Sequence, residues 1–436
     1  MSSLHPPSSS NLLVTAAWEK SLVPATGGEA TLLVRLKAAD SAAQNGHRRA
    51  PVDVAFVLDR SGSMAGDKLA LVKEAVAVAV GQLRDEDRTA LVIYDHEVET
   101  LQHLEAATPR VKTALRLALQ GVDAGGSTNL SGGWLTGCDE LSKGMAEATG
   151  SGPVRIRRTL LLTDGLANVG ISNADELTKH AHELRRRGIA TTTLGVGLDF
   201  DEDLLASMAE AGGGNFQFIG KSGELRAFFA RELGELLTVV AAGLSLSLTL
   251  PHGVRARLIN AFPAERHGKR IDVALGDLPA SDELNLIFAV AVEPGARDAT
   301  HLATLSAVWS DPTTDSRRSF DLTLPPLRLA DSSTVDASPA DPDVAEQAAL
   351  QLAAVAQREA MRLDREGRYA ESRSRMAASA HALAAAPATA AVHSMQMSAE
   401  ALAAYDASET LSEGVRKSAT YHALRFSRGK ADDTSK

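Results

Sequence analysis

A multidomain chain, with a doubly wound α/β domain inserted in an antiparallel β-sandwich and followed by a C-terminal α-helical bundle, is the fold class the sequence predicts. Three observations predict it. From about 51 to 238, short apolar runs alternate with helical stretches, as in a mainly parallel sheet covered on both faces. From 239 to 330, apolar residues recur with period two and no helix intervenes, the pattern of antiparallel strands. From 343 to 428 the chain is Ala-rich, nearly free of Gly, and apolar at helical spacing.

Taken in order, residues 1–10 are polar and Pro/Ser-rich, and read as a flexible tail. Residues 11–50 hold two strand-like runs around Thr26-Gly27-Gly28, the second with Leu32, Val34 and Leu36 on one face. Two strands alone are marginal, so they are expected to join the β-sandwich further along. The α/β pattern then runs strand 52–58, helix 69–83, strand 89–94, helix 111–119, strand 159–163, helix 174–187, strand 189–196, helix 201–211, strand 216–219 and helix 222–237. Gly188 closes the helix at 174–187, with Arg185, Arg186 and Arg187 in its last turn.

Beyond it Leu244, Leu246, Leu248 and Leu250 alternate with polar residues. So do Leu284, Leu286, Phe288, Val290 and Val292, and then Phe320, Leu322 and Leu324. Residues 331–342 read as a Pro/Asp/Ser linker. Four helical faces follow, with turns at Gly367, Pro387 and Ser408, and 429–436 read as a second flexible tail.

With 436 residues the chain can bury more than one core. A formal charge of −10 argues against general nucleic-acid binding, which needs an excess of Lys and Arg, and against docking on anionic lipid. The single cysteine, Cys138, excludes an intrachain disulfide. It is read as a small buried hydrophobe in a protein of a reducing, cytoplasmic compartment. The first residues, MSSLHPPSSSNLL, do not resemble a signal peptide, and no apolar stretch is long enough to span a bilayer.

The chemistry concentrates in three segments. In Val57-Leu58-Asp59-Arg60-Ser61-Gly62-Ser63-Met64 an apolar strand ends in a carboxylate, followed by two hydroxyls that Gly62 allows to turn the same way. Gly125-Gly126-Ser127-Thr128-Asn129-Leu130 is a Gly-rich loop ahead of a helix and offers the Thr128 hydroxyl. Leu160-Leu161-Leu162-Thr163-Asp164-Gly165 is another strand ending in Asp. An oxygen-only set of this kind suits one hard cation. In open α/β sheets ligands bind beyond the carboxyl ends of the strands, where both aspartates fall. Any one segment alone reads equally well as a turn or a helix cap.

Together, Asp59-x-Ser61-x-Ser63, Thr128 and Asp164 resemble the metal-ion-dependent adhesion site of von Willebrand factor A domains, a Rossmann-like fold, and the whole chain resembles bacterial, non-secreted proteins carrying that domain. The resemblance implies a metal site at Asp59, Ser61, Ser63, Thr128 and Asp164 for Mg²⁺ or Mn²⁺, with Ca²⁺ as a further candidate. It also implies a position left open for an Asp or Glu of a protein partner, rimmed by Arg60, Met64, Asn129 and Gly165. Some relatives move the last helix of the domain on ligand arrival; here that helix is 222–237.

The function expected is metal-dependent protein binding, with no catalytic residues. A regulatory subunit of a separate ATPase is the alternative. A Mg²⁺-dependent hydrolase is a weaker one, because Asp59 is followed by Arg60-Ser61 and the three segments hold no Lys or His. The pair His180 and His182 with Glu183 reads as a solvated helix face.

Overall fold

The computed structural model describes residues 11–39, 49–147, 154–220, 222–296, 303–314 and 316–428. The tails expected at 1–10 and 429–436 lie outside these residues. The chain opens with β1 (Leu12–Trp18), β2 (Leu22–Pro24) and β3 (Gly28–Ala38). The α/β unit contains β4 (Val52–Asp59), α1 (Asp67–Gln82), β5 (Arg88–Tyr94), β6 (Val98–Ala106), α2 (Pro109–Gln120), α3 (Leu130–Glu147) and β7 (Ile156–Thr163). It continues with α4 (Ala174–Arg186), β8 (Ile189–Val196), α5 (Glu202–Gly212), β9 (Gly213–Ile219) and α6 (Ser222–Leu237).

Its six strands lie in the order β6-β5-β4-β7-β8-β9. All pairings are parallel except that of β6, an antiparallel edge strand absent from the sequence expectation. Every residue of β4 is buried, since both faces are covered. Val72 and Val76 of α1, Leu115 of α2 and Phe228 of α6 pack on one face; Trp134 of α3, Leu177 of α4 and Leu205 of α5 pack on the other. From β4 the chain builds outward in both directions, so the gap beyond the ends of β4 and β7 is the topological switch point.

The strands that follow are β10 (Val239–Thr249), β11 (Val254–Leu258), β12 (Ala264–His267), β13 (Arg270–Pro279), β14 (Glu283–Val292), β15 (Thr304–Asp311), β16 (Ser316–Thr323) and β17 (Arg328–Ala330). One sheet runs β1-β3-β14-β11 and a second β12-β13-β10-β15-β16. Leu32, Val34 and Leu36 meet Leu246, Leu248, Ile271 and Leu305 in one core between them. β3 pairs along the whole of β14, from Lys37 opposite Glu283 to Gly28 opposite Val292.

Leu33, on the face away from that core, is also buried, because helix α8 covers it through Val344 and Ala348. Removing residues 1–39 therefore takes Leu12, Val14, Leu32, Val34 and Leu36 from the core, at about 1.5–3 kcal/mol each. That sum rivals the roughly 5–15 kcal/mol that holds a domain folded. The truncated protein should lose the calorimetric transition of its β unit while residues 50–238 keep theirs.

The stretch 331–342, expected as an irregular linker, instead contains the short helix α7 (Ser332–Ala337). The segment is tied to the β1–β2 region, Lys20 Nζ donating to Val335 O at 3.0 Å and Asp341 N to Glu19 O at 2.6 Å. Four longer helices follow: α8 (Pro342–Arg365), α9 (Tyr369–Ala384), α10 (Ala390–Ala403) and α11 (Glu413–Ser427). They share a core that includes Leu350, Met376, Met395 and Leu411. Asp341 caps α8 by accepting from Asp343 N and Val344 N.

Helix α11 also packs on the α/β unit. Lys417, almost fully buried, donates to Phe200 O at 2.7 Å and to Glu202 at 2.9 Å, and lies 4.3 Å from the centre of the Phe200 ring.

Candidate metal centre

Asp59 ends β4 and Asp164 directly follows β7, so neighbouring parallel strands deliver two carboxylates to the switch point. Neither is exposed to solvent. One Asp59 oxygen accepts from Ser61 N at 2.7 Å and the other from Thr163 Oγ1 at 2.6 Å. Ser61 Oγ lies 3.2 Å from Ser63 Oγ, and Ser63 Oγ donates to Asp164 Oδ1 at 2.7 Å. Thr128 comes in from the loop before α3: a Cβ placed on Gly165 would lie 3.0 Å from Thr128 Oγ1 and 3.7 Å from Asp59 Oδ2. The structure thus brings together all five residues expected at the metal position.

The Gly-rich loop is held against the turn after β4. Gly62 N donates to Gly126 O at 2.9 Å and Gly125 N to Arg60 O at 2.6 Å. Gly125 has to be glycine, because a Cβ there would fall 1.9 Å from Asp95 Oδ2.

The rim differs from expectation. Met64 is fully buried among Leu58, Leu69 and Val72, since the short 3₁₀ turn at Gly62–Met64 rolls it into the core. Arg60 turns toward Asp95, Nε to Oδ2 at 3.4 Å. Asn129 is half-buried, and its side chain accepts from Gly132 N at 3.0 Å at the start of α3. Gly165 alone of the four borders the site closely.

Three further residues belong to the site. Thr163 holds Asp59, as described. Asp95, at the end of β5, braces the Gly-rich loop by accepting from Gly126 N at 3.2 Å. Burial raises its carboxyl, but bonds from Glu97 N and Gly126 N and the charge of Arg60 more than offset that, so it sits below its ordinary value. Lys68 Nζ donates to Asp164 Oδ2 at 2.5 Å and reaches Asp199 at 3.3 Å.

The three segments hold no Lys or His, as read from the sequence, but Lys68 reaches the site from the helix that follows the first of them. A signal for it existed: a lysine in the first turn of α1 opposes the helix dipole, and such local conflicts mark functional positions. Cys138 follows the sequence reading. It is buried 3.3 Å from Thr159 Oγ1, and burial pushes its thiol up to about 12.

Electrostatically the centre is short of positive charge. Burial pushes the Asp59 carboxyl above the usual range, and nearby Asp164 adds to this, against the hydrogen bonds from Ser61 and Thr163. Lys68 serves Asp164, but among the described residues no cationic side chain lies within ion-pair distance of Asp59. A buried, unpaired carboxylate is costly. Two buried carboxylates, one of them unpaired, with three hydroxyls make an oxygen-only donor set that fits a hard divalent cation. Among the described residues no group of three or more His, Cys, Asp or Glu side chains is placed to hold a metal.

Residues 53–231 match the family model of the von Willebrand factor type A domain. They are a von Willebrand factor type A domain. Domains of this family generally mediate protein–protein interaction and typically bind a divalent metal.

The chain is 26% identical over 247 residues to the uncharacterized protein YfbK of Escherichia coli (strain K12), covering 55% of this chain and 42% of that protein. It is 27% identical over 272 residues to the uncharacterized Synechocystis protein sll0103, covering 60% of this chain and 62% of the relative. Over 198 residues it is 31% identical to human inter-alpha-trypsin inhibitor heavy chain H3, 44% of this chain but 22% of that one. In each case the match spans less than two thirds of the relative.

Two solved structures share the fold over nearly the whole chain. A von Willebrand factor type A protein from Catenulispora acidiphila superposes with a TM-score of 0.73 at 18% identity, over 98% of this chain and 99% of that one. The ArnB paralog VWA2 from Sulfolobus acidocaldarius does so with a TM-score of 0.65 at 16% identity, over 96% and 99%. Among the described residues no helix is long and apolar enough to cross a membrane.

Proposed function

We propose that this chain is a divalent-metal-dependent protein-binding module, its von Willebrand factor type A domain inserted in a β-sandwich and backed by the C-terminal helices. The observation that carries the reading is the convergence of two unexposed carboxylates at the switch point, one of them without a cationic partner. Asp59, Ser61, Ser63, Thr128 and Asp164 would hold Mg²⁺ or Mn²⁺. When bound, the cation supplies an electrophilic position for an Asp or Glu carboxylate of a partner.

The chain's own residues do the rest. Thr163 and Ser61 N orient Asp59; Asp95 holds the Gly-rich loop that carries Thr128; Lys68 balances Asp164 and so keeps the resident charge low. A single, buried cysteine supports a reducing compartment such as the cytoplasm.

The test is capture of native partners on immobilised protein, with Mg²⁺ and with chelator. The expected result is a set of proteins retained in Mg²⁺, released by chelator, and lost when the acidic residues of their contact segment are amidated. Capture indifferent to chelator would transfer the binding role to the β unit or the helices.

A further inference from the structure

A cavity of about 370 Å³ opens on the opposite side of the α/β unit from the metal centre, where the start of β7 and the end of α4 face β10 and β13 of the second sheet. Arg155, Arg157, Arg185, Arg186 and His182 line it, with Asp277 as the one carboxylate. We propose that this cavity binds a small phosphate-bearing molecule, a phosphomonoester with a compact apolar body.

Arg186 pairs with Glu183 at 3.2 Å, but Arg157 and Arg185 are under-neutralised. Asp53 alone receives three guanidinium groups: Arg88 at 2.7 Å, Arg155 at 2.7 Å and Arg157 at 3.5 Å. Arg157 Nε is buried and makes no hydrogen bond. Arg185 donates only to backbone carbonyls, Ala274 O at 2.6 Å and Glu210 O at 3.4 Å, and no carboxylate lies within ion-pair distance of it among the described residues. Burial, with Arg428 nearby, draws its guanidinium down to about 10. Asp277 does not correct the balance, because it already accepts from Gly243 N at 3.0 Å and stands 3.6 Å from Arg158.

This excess of partly buried positive charge occurs in a chain whose net charge is −10, so overall composition does not explain it. Guanidinium forks from two separate elements suit the terminal oxygens of a phosphate. Val154, Ile156, Ala190 and Leu244 make the remaining wall apolar. A mostly apolar cavity of this size with a few convergent charges is the usual form of a small-molecule site. The inference is independent of the metal reading, because none of the five metal-centre residues lines the cavity.

The test is calorimetric titration of the full chain with phenyl phosphate, inorganic phosphate and benzoate at constant ionic strength. Phenyl phosphate is expected to bind best, inorganic phosphate more weakly, and benzoate least. Arg157→Gln and Arg185→Gln should each weaken phenyl phosphate about tenfold or more, the loss of one charge-assisted contact. Arg185 also ties down two carbonyls, whereas Arg157 Nε makes no hydrogen bond and its 3.5 Å approach to Asp53 leaves Arg88 and Arg155 in place there, so Arg157→Gln is the arm that separates binding from folding; circular dichroism should leave it unchanged. Asp59→Ala should bind phenyl phosphate like the wild type. Absence of binding by either phosphate at millimolar concentration, benzoate binding as well as phenyl phosphate, or unchanged affinity in Arg157→Gln would each overturn the proposal.

Discussion

Asp59→Ala is expected to lose the whole Mg²⁺-dependent stabilisation of this protein. A ligand that binds only the folded state, present at about a hundred times its dissociation constant, stabilises by about 2.7 kcal/mol. The wild type should gain that amount between chelator and Mg²⁺, and the variant nothing. The metal-free comparison is equally informative. A carboxylate at the end of a loop would be dispensable because it is exposed, but Asp59 has no exposure at all.

Its removal forfeits bonds from Ser61 N and Thr163 Oγ1, at about 1 kcal/mol each, and relieves a buried charge that lacks a cation and is repelled by Asp164. These terms oppose one another, so in chelator the variant should unfold close to the wild type. Scanning calorimetry of both proteins under both conditions is the measurement. Equal upward shifts of wild type and variant on adding Mg²⁺ would remove Asp59 from the metal centre.

Lys417→Met should destabilise the protein by about 3 kcal/mol at neutral pH, near the lower end for leaving one partner of a buried pair behind. Glu202 would keep Arg365 at 2.9 Å and Arg416 at 3.7 Å, which is why the larger values are not expected. Burial pushes the Glu202 carboxyl up, but the hydrogen bond from Lys417 and the charge of Arg365 outweigh it, so its folded value lies below the ordinary 4.5. A depressed carboxyl contributes stability that is present above 4.5 and is lost as pH falls through the folded value. The gap between wild type and variant should therefore narrow on acidification below 4.5. A gap independent of pH would mean that Lys417 acts by packing on Phe200 alone. Residue 199, beside Phe200, pairs with Lys68, so the same variant should also shift the Mg²⁺ midpoint.

The α/β domain and the five metal-centre residues were legible because strand ends, glycines and hydroxyls in fixed spacing leave a local imprint. β4 reads as six apolar residues with Asp53 near its start and Asp59 at its end, and it is buried throughout. What was not legible depends on reach or on layers that come from elsewhere in the chain. Met64 looks like a rim residue in sequence, yet a single 3₁₀ turn rotates it inward. Lys68 and Asp95 enter the centre from α1 and the end of β5 through long-range contacts; the misplaced charge of Lys68 in a first helical turn marks it locally but does not say what it reaches. Leu33 breaks the alternation of β3 because α8, about 300 residues downstream, covers its outer face.

The pairing of β3 with β14 also has a consequence in time. The whole α/β unit is synthesised between these two neighbours. At roughly 5–20 residues per second, β3 leaves the ribosome about 12 to 50 seconds before the strand that completes its sheet. β1 can shield one edge of β3 meanwhile, while the other edge waits unpaired as a template for wrong partners and the face bearing Leu32, Val34 and Leu36 waits uncovered. The α/β unit needs no strand from outside its own segment to close its sheet. During translation it can therefore finish first, so the newborn chain carries a complete metal-centre domain while its β unit is still half built, and that interval is when a chaperone would have most to protect.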